Sequence, residues 1–231
     1  MKIINAISPT ILAVESSTKA CSVSLYHQGK SYTEFKIAPQ QHANFMLEMV
    51  KTVLENANIK GQDIDSLALC EGPGAFTGVR IATGVIQGLA YGWDKPVLSV
   101  SSLEALAWQN YKTFSSTKII ACLDARMKEM YLQECEVVGE KLYSSPPQML
   151  SAEKASQVIK ASNIKNGVGD IAEDFLEVSQ LFEDWQITYP SAEYVAQIAS
   201  QRQDQVKMLA DKIPLPLYLR NNISVKKKDR E

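Results

Sequence analysis

Short apolar runs alternate along this chain with stretches in which apolar residues recur every three or four positions. The first pattern predicts strands and the second predicts helices with one buried face. The predicted strands lie at residues 11–14, 21–26, 31–37, 67–70, 96–100, 119–124 and 130–135, with a strand and turn at 167–170. The predicted helices lie at about 41–56, 76–91, 101–111, 151–161 and 192–211, and residues 214–220 are expected to be extended. Alternation of this kind indicates an α/β protein.

The pattern restarts halfway along the chain. The apolar run at 11–14 ends in Glu15, and the run at 119–123 ends in Asp124, about 108 residues later. An alternating strand follows each run, which indicates a duplicated domain. We predict two lobes, residues 1–112 and 113–231, each a mixed sheet flanked by helices, with a cleft between them. Glu15 and Asp124 are both expected to face that cleft.

The predicted helix at 76–91 and the residue after it carry glycines four residues apart, namely Gly84, Gly88 and Gly92. This spacing places them on one helix face, although each glycine destabilises a helix interior by about 1 kcal/mol relative to alanine. A face without side chains lets another backbone approach closely. Two interpretations stay open: the face packs on the protein's own sheet, or it receives a helix of a partner.

Composition narrows the class of protein. The 231 residues are 45% hydrophobic and 22% charged, as in ordinary globular proteins. A net charge of −2 disfavours autonomous nucleic-acid binding, and the cluster Lys226, Lys227 and Lys228 is either a solvated tail or an RNA contact. The four cysteines form no C-x-x-C pair, which favours a reducing compartment. Without a signal peptide or an apolar stretch of about 18 residues, the protein is expected to be cytoplasmic, with no membrane span.

Four motifs resemble those of a known family. They are ILAVESST at 11–18, GPGAFTGVR at 72–80, DARMKEMY at 124–131 and PLYLRN at 216–221. With these motifs the chain resembles the acetate/sugar kinase–Hsp70–actin superfamily and, within it, the bacterial family of dimerisation subunits for tRNA threonylcarbamoyladenosine biosynthesis. The resemblance covers nearly the whole chain and implies two duplicated actin/Hsp70/sugar-kinase-like lobes. The family usually has Asp where Glu15 stands, and the longer side chain argues against a metal–nucleotide role there.

The resemblance implies a non-catalytic subunit rather than an enzyme. The related catalytic subunit transfers a threonylcarbamoyl group to the adenosine beside the tRNA anticodon, and it binds a metal through two histidines one helical turn apart. Ser102 and Leu106 occupy the matching positions here, and neither side chain suits a transition metal. We therefore expect no metal and no catalytic residue. The implied partners are the catalytic paralogue and the ATPase subunit of the same system, with a homodimer when the chain is alone and tRNA bound only indirectly.

Two short segments are candidates for nucleotide contact. Ser16, Ser17 and Thr18 are able to offer hydroxyls to a phosphate, as the first hairpin of the superfamily does, but the same residue types also favour turns. Gly167 and Gly169 match the place where relatives hold adenosine. The chain has no G-x-x-x-x-G-K-[ST] phosphate loop. We expect no bound cofactor, or only weak binding of ATP or ADP at an interface with a partner.

The helices at 41–56 and 76–91 are predicted to form the partner surface. The first is apolar on more than one face, and the second carries the glycines. The candidate partner residues are His42, Phe45, Met46, Met49, Val53, Phe76, Arg80, Gly84 and Gly88. A charged cluster, Asp124, Arg126 and Glu129, is either an ion-pair network between lobes or a contact for an anion or a partner.

Three functions compete at this stage. The leading hypothesis is an interaction subunit that activates the catalytic paralogue for N6-threonylcarbamoylation of tRNA. The alternative is a nucleotide-dependent ATPase or phosphotransferase of the same superfamily, which the sparse phosphate signals disfavour. A free-standing ATP sensor would need only weak nucleotide affinity.

Overall fold

The computed structural model describes residues 8–220, so Asn221 and the three lysines at 226–228 lie outside the described residues. Its first half contains β1 (Ile11–Glu15), β2 (Ala20–His27), β3 (Lys30–Ile37), α1 (His42–Ala57), β4 (Ser66–Gly72), α2 (Phe76–Trp93), β5 (Val97–Ser101) and α3 (Ser102–Phe114). Its second half contains β6 (Lys118–Arg126), β7 (Glu129–Val138), β8 (Lys141–Ser144), β9 (Gln148–Ser151), α4 (Ala152–Ser162), β10 (Asn166–Gly169), α5 (Leu176–Ser179), β11 (Asp184–Ile187) and α6 (Ala192–Ser200).

The two sheets share one topology. The first has the strand order β3-β2-β1-β4-β5, and the second has the order β11-β10-β6-β7-β8, with β9 paired to β7. In each sheet the first strand pairs antiparallel with the next strand and parallel with the strand that follows a helix, as β1 does with β2 and β4, and β6 with β7 and β10. The prediction of an α/β fold with two duplicated lobes is therefore confirmed.

The helices and sheets stack in five layers. Helices α1 and α2 cover the outer face of the first sheet, and α4 and α5 cover the outer face of the second. Between the sheets, α6 packs on β1 and β2, whereas α3 packs on β6 and β7. The lobes thus exchange helices, and one apolar cluster runs through both. The predicted boundary after residue 112 falls near the end of α3.

Serines begin three of these helices. The hydroxyls of Ser101 and Ser191 accept hydrogen bonds from backbone N–H groups two residues later, at 3.2 and 3.3 Å, and the Ser151 hydroxyl accepts one from Lys154 at 3.4 Å. Such caps satisfy N–H groups that have no partner inside the helix.

The last helix is shorter than predicted. It ends at Ser200 rather than near residue 211, because the chain beyond it is held by other partners. Arg202 turns toward Glu104 on α3, at 2.8 Å. Lys207 then exchanges two backbone hydrogen bonds with Val97 at the start of β5, at 2.7 and 2.9 Å. Among residues 8–220, no helix has both the length and the apolar character needed to cross a membrane.

Candidate functional site

A cleft of about 700 Å³ lies between the lobes. The β1–β2 turn, the start of α2 and the last residues of β6 form its walls, and residues 217–220 close one side. Asp124 and Asp170 contribute carboxylates, and Lys19 and Arg126 contribute cations. The same end of both sheets, where β1 and β6 finish, therefore builds the cleft, as expected for duplicated α/β lobes.

Two glycines of the GPGAFTGVR motif let α2 begin directly against the β1–β2 turn. A Cβ atom on Gly74 would overlap the carbonyl oxygen of Ser17, and one on Gly78 would overlap that of Ser16. The Ala75 N–H donates to the Ser17 carbonyl at 2.7 Å, and the Ser16 hydroxyl donates to the Gly78 carbonyl at 2.8 Å. At these two positions the absence of a side chain is required by close backbone contact.

This packing determines where the candidate nucleotide residues lie. Ser16 and Ser17 are at most 1% exposed, and the Ser16 hydroxyl is already bonded to α2. Ser17 and Thr18 line the cleft, but Gly167 and Gly169 do not. Gly167 packs beneath aromatic rings of the second lobe, and Gly169, at φ +143°, abuts the carbonyl of β6 residue Cys122. The structure does not bring these five residues together around one open cavity, so they do not fit a superfamily nucleotide.

Glu15 does not face the cleft, contrary to the prediction. Its side chain is fully buried, and its Oε1 accepts a 2.5 Å hydrogen bond from the Ser17 backbone N–H, whereas Oε2 has no hydrogen-bond partner among residues 8–220. Burial raises the pKa of Glu15 to about 7, although hydrogen bonding by Ser17 opposes the shift. Of the two predicted cleft acids, only Asp124 lines the cavity.

The charged cluster of the second lobe forms ion pairs within the chain. Arg126 contacts Asp124 at 2.9 Å, and Arg220 contacts Glu129 at 2.6 Å. Asp170 accepts a hydrogen bond from the Asp124 backbone N–H at 2.9 Å, and burial raises the pKa of Asp170. Ion pairing is therefore observed, but both pairs join residues within 113–231 rather than residues of the two predicted lobes.

Ser102 and Leu106, which the resemblance matches to the metal-binding positions of the catalytic subunit, make contacts inside this chain instead. The Ser102 hydroxyl donates to the Pro73 carbonyl at 2.5 Å, and Leu106 is fully buried. Within residues 8–220, no group of three acidic, cysteine or histidine side chains is arranged to hold a metal ion. His27 lies 2.8 Å from the Thr10 hydroxyl, and His42 is buried with Nε2 3.4 Å from the Lys19 carbonyl.

The glycine face of α2 is open. Apart from the nearby backbone of α2 itself, no atom of residues 8–220 lies within 4 Å of the position that a Cβ would take at Gly84, Gly88 or Gly92. The residues that α2 buries against the sheet are Gly78, Val79, Ala82, Thr83, Ile86 and Ala90. The first interpretation of this face, packing on the protein's own sheet, is therefore wrong for these three glycines. A helix turns by about 100° per residue, so Gly88 lies about 200° around the helix from the buried Ile86.

Several candidate partner residues need correction because their side chains are inside the first lobe. The buried ones are His42, Met46, Met49 and Val53. They are buried because the stripe they form is the one that packs on the sheet. The exposed apolar residue of α1 is instead Leu47, 61% exposed, with Phe45 half-buried beneath the Lys36 ammonium. Phe76 and Arg80 remain exposed at the start of α2.

Sequence reasoning did not identify the cluster that Phe76 and Arg80 form with Tyr218. The Arg80 guanidinium lies 3.4 Å from the Phe76 ring centroid, and its Nε donates to the Tyr218 hydroxyl at 2.7 Å. The Phe76 and Tyr218 ring centroids are 5.6 Å apart. The PLYLRN motif was the available signal, but spacing alone did not show which helix it would contact.

Comparisons with known proteins agree on one system. The family model for tRNA N6-adenosine threonylcarbamoyltransferase matches residues 35–224. The tRNA threonylcarbamoyladenosine biosynthesis protein TsaB of Escherichia coli K12 is 31% identical, over 94% of this chain and 97% of that protein. TsaB of Haemophilus influenzae Rd is 33% identical, over 94% and 96%. A crystal structure from Pseudomonas aeruginosa, described as similar to peptidase YEAZ, superposes with a TM-score of 0.81 at 32% identity, covering 92% of this chain and all of that one.

Proposed function

This chain belongs to the TsaB family of tRNA threonylcarbamoyladenosine biosynthesis proteins, and from that premise we propose that it is the non-catalytic partner of a tRNA N6-adenosine threonylcarbamoyltransferase. The chain is a subunit of the tRNA modification system, acting in the cytoplasm on a catalytic paralogue that carries the metal. The relatives' names support this hypothesis and not a free-standing ATPase, phosphotransferase or ATP sensor.

One observation carries the proposal. The outer helical layer of the first lobe presents a helix face without side chains, at Gly84 and Gly88, to solvent. Leu47 and Tyr91 are 61% and 86% exposed on the same layer. Glycines in a helix interior reduce its stability, and among residues 8–220 no atom outside α2 lies within 4 Å of their Cβ positions to compensate. A helix of a second protein seated along this face would supply one.

The same face fits either a paralogue or a second copy of this chain. The catalytic relatives share the family model that matches residues 35–224, so their helices are expected to have related geometry. A twofold interface requires only self-complementarity. We infer that a homodimer forms through α1 and α2 when the paralogue is absent, and that the paralogue displaces it.

Reconstitution tests the non-catalytic role. The purified chain, incubated with threonylcarbamoyl-adenylate and unmodified tRNA, should form no modified nucleoside, because no described group can hold the metal. Addition of the catalytic paralogue should start the reaction, and the paralogue alone should be slower. Product from the chain alone would refute the non-catalytic assignment. Equal rates with and without this chain would refute the partner role.

Gly88→Leu tests the surface. A Cβ atom at this position meets no atom of residues 8–220 within 4 Å apart from the backbone of α2, so the variant should melt normally but lose association, because the side chain holds the partner backbone away. Lys160→Leu is the matched control, since it adds the same exposed side chain on α4 of the second lobe. In the control, association with the paralogue and with a second copy of the chain, measured by size exclusion, should be unchanged. Intact association of Gly88→Leu would rule out the face at that residue.

A further inference from the structure

The residues after α6 form a bridge between the lobes. We call residues 214–220 the C-terminal strap; it has no helix or strand, and separate contacts hold it. At its start the Pro214 carbonyl accepts a hydrogen bond from the Gln87 side chain of α2 at 2.8 Å. Further along, the Leu217 N–H donates to the carbonyl of Glu71 at 2.8 Å. The first half of the strap is therefore attached to the first lobe.

The middle of the strap depends on Arg80. Its guanidinium lies against the Phe76 ring and donates to the Tyr218 hydroxyl. Phe76 and Tyr218 are 44% and 41% exposed, so this cluster is accessible to anything that binds along α2. It lies one helical turn from Gly84, at the edge of the open glycine face.

The end of the strap is attached to the second lobe. Arg220 donates to the Glu129 carboxylate at 2.6 Å, to the Ala125 carbonyl at 3.3 Å and to the Met127 sulfur at 3.0 Å. These three acceptors surround the turn between β6 and β7. One side chain from the strap thus holds both strands of that hairpin at the wall of the cleft.

The hairpin that Arg220 holds is strained. Arg126, Met127 and Lys128 have φ values of 64°, 56° and 63°, a left-handed conformation that L-residues other than glycine rarely adopt. Three such residues in a row persist only where neighbouring groups hold them. Within the hairpin, Asp124 accepts a hydrogen bond from the Arg126 N–H at 2.7 Å and pairs with its guanidinium at 2.9 Å. Arg220 adds contacts from outside the hairpin.

We propose that the strap couples the α2 surface to the hairpin and the cleft. A partner segment that docks along α2 and breaks the contact between Arg80 and Tyr218 would displace the strap. Displacement of the strap withdraws Arg220 from Glu129 and releases the strained hairpin, so that the lobes open. Docking on α2 and closure of the cleft are then coupled through the strap. The inference rests on the proposed function only for the identity of the partner, because the link lies within this chain and is tested without any partner.

Hydrogen exchange of the full-length chain tests the link. Arg80→Gln should accelerate exchange in the hairpin peptide 124–131 by about tenfold, because local opening sets these rates, although Arg80 contacts no residue of that peptide. Arg220→Gln should do the same directly. Lys165→Gln, which removes the 2.7 Å ion pair with Glu183 elsewhere in the second lobe, is the control and should leave the peptide unchanged. Should Arg220→Gln fail to fold, Arg220→Lys replaces it, keeping the charge but not the fork of donors.

The opening of the cleft is measured by electron-resonance distances between spin labels at Lys51→Cys on α1 and Lys160→Cys on α4; the four native cysteines are buried. Both Arg variants should broaden the distribution toward longer distances. If Arg220→Gln accelerates hydrogen exchange in peptide 124–131 but Arg80→Gln does not, the coupling is overturned. It is also overturned if neither variant accelerates exchange in that peptide. Faster exchange with an unchanged distance distribution overturns the opening. Failure of the paralogue to bind would contradict the proposed function and leave these results untouched.

Discussion

Replacing Gly78 and Gly88 by alanine, one at a time, should change the stability of the folded chain in opposite directions. Both glycines belong to α2, so the intrinsic helix preference for alanine applies to each and amounts to about 1 kcal/mol in a helix interior. What differs is the surroundings. The Cβ of Gly88→Ala meets no atom within 4 Å, whereas that of Gly78→Ala overlaps the carbonyl oxygen of Ser16.

The expected magnitudes follow from these contacts. A backbone carbonyl cannot rotate out of the way, so Gly78→Ala requires the β1–β2 turn or the start of α2 to move, and overpacking of this kind costs about 1–3 kcal/mol or more. For a chain of 231 residues, each 1 kcal/mol shifts the melting temperature by about 2–4 °C. Gly78→Ala should therefore melt several degrees below the wild type, and Gly88→Ala about 2–4 °C above it.

Thermal melting followed by circular dichroism, at concentrations low enough to keep the chain monomeric, measures both shifts. Gly92→Ala is the control for Gly88→Ala, because its Cβ also meets nothing within 4 Å. A Gly78→Ala variant that melts at or above the wild-type temperature would refute the close contact with Ser16. A Gly88→Ala variant destabilised as much as Gly78→Ala would refute the open face.

Three further predictions concern charge and ligands. Burial raises the pKa of Glu15 to about 7 from an ordinary 4.5, so the stability that the neutral carboxyl provides is complete below pH 4.5 and is lost as the pH rises through 7. By pH 8 this loss amounts to about 3 kcal/mol, and Glu15→Gln should remove it. If the unfolding free energies of the wild type and of Glu15→Gln, measured with urea, show the same pH dependence, the prediction is refuted. Burial raises the pKa of Glu104, whereas Arg202 lowers it, and the net shift is downward. Arg202→Met should therefore leave a mostly buried carboxylate unpaired and lower the free energy of unfolding at pH 7 by about 3 kcal/mol. A loss of unfolding free energy no larger than that of Lys165→Gln would refute this. Calorimetry with ATP and magnesium should show weak or absent binding, and a dissociation constant near 1 μM, about −8 kcal/mol, would instead favour a nucleotide-dependent enzyme.

The sequence by itself predicted much of the architecture, because the relevant signals are local. Apolar periodicity located all but the short elements, such as β8, β9, β11 and α5, which are too brief to show a period. The second copy of the strand pattern predicted two sheets of one topology. The motifs at 72–80 and 124–131 indicated the family, which the comparisons confirm.

Tertiary structure decided which way each element faces and what lies beside it, since these depend on residues far apart in the chain. Glu15 lies near the end of an apolar strand just as Asp124 does, yet only Glu15 is fully buried. The residues after Ser200 were predicted to continue α6, but Lys207 instead forms backbone hydrogen bonds with Val97. Met46 and Met49 resembled a flexible surface, but the sheet beneath α1 buries them.

The contrast is clearest in α2. Spacing alone showed that Gly84 and Gly88 share a face, because the helical period is a property of the backbone. Only the packed structure showed that this face is open, that Gly78 on the same helix is in tight contact, and that Tyr218 and Arg220 link α2 to the other lobe. The contacts of Tyr218 and Arg220 join residues more than 90 positions apart, and no local pattern in a single sequence encodes them.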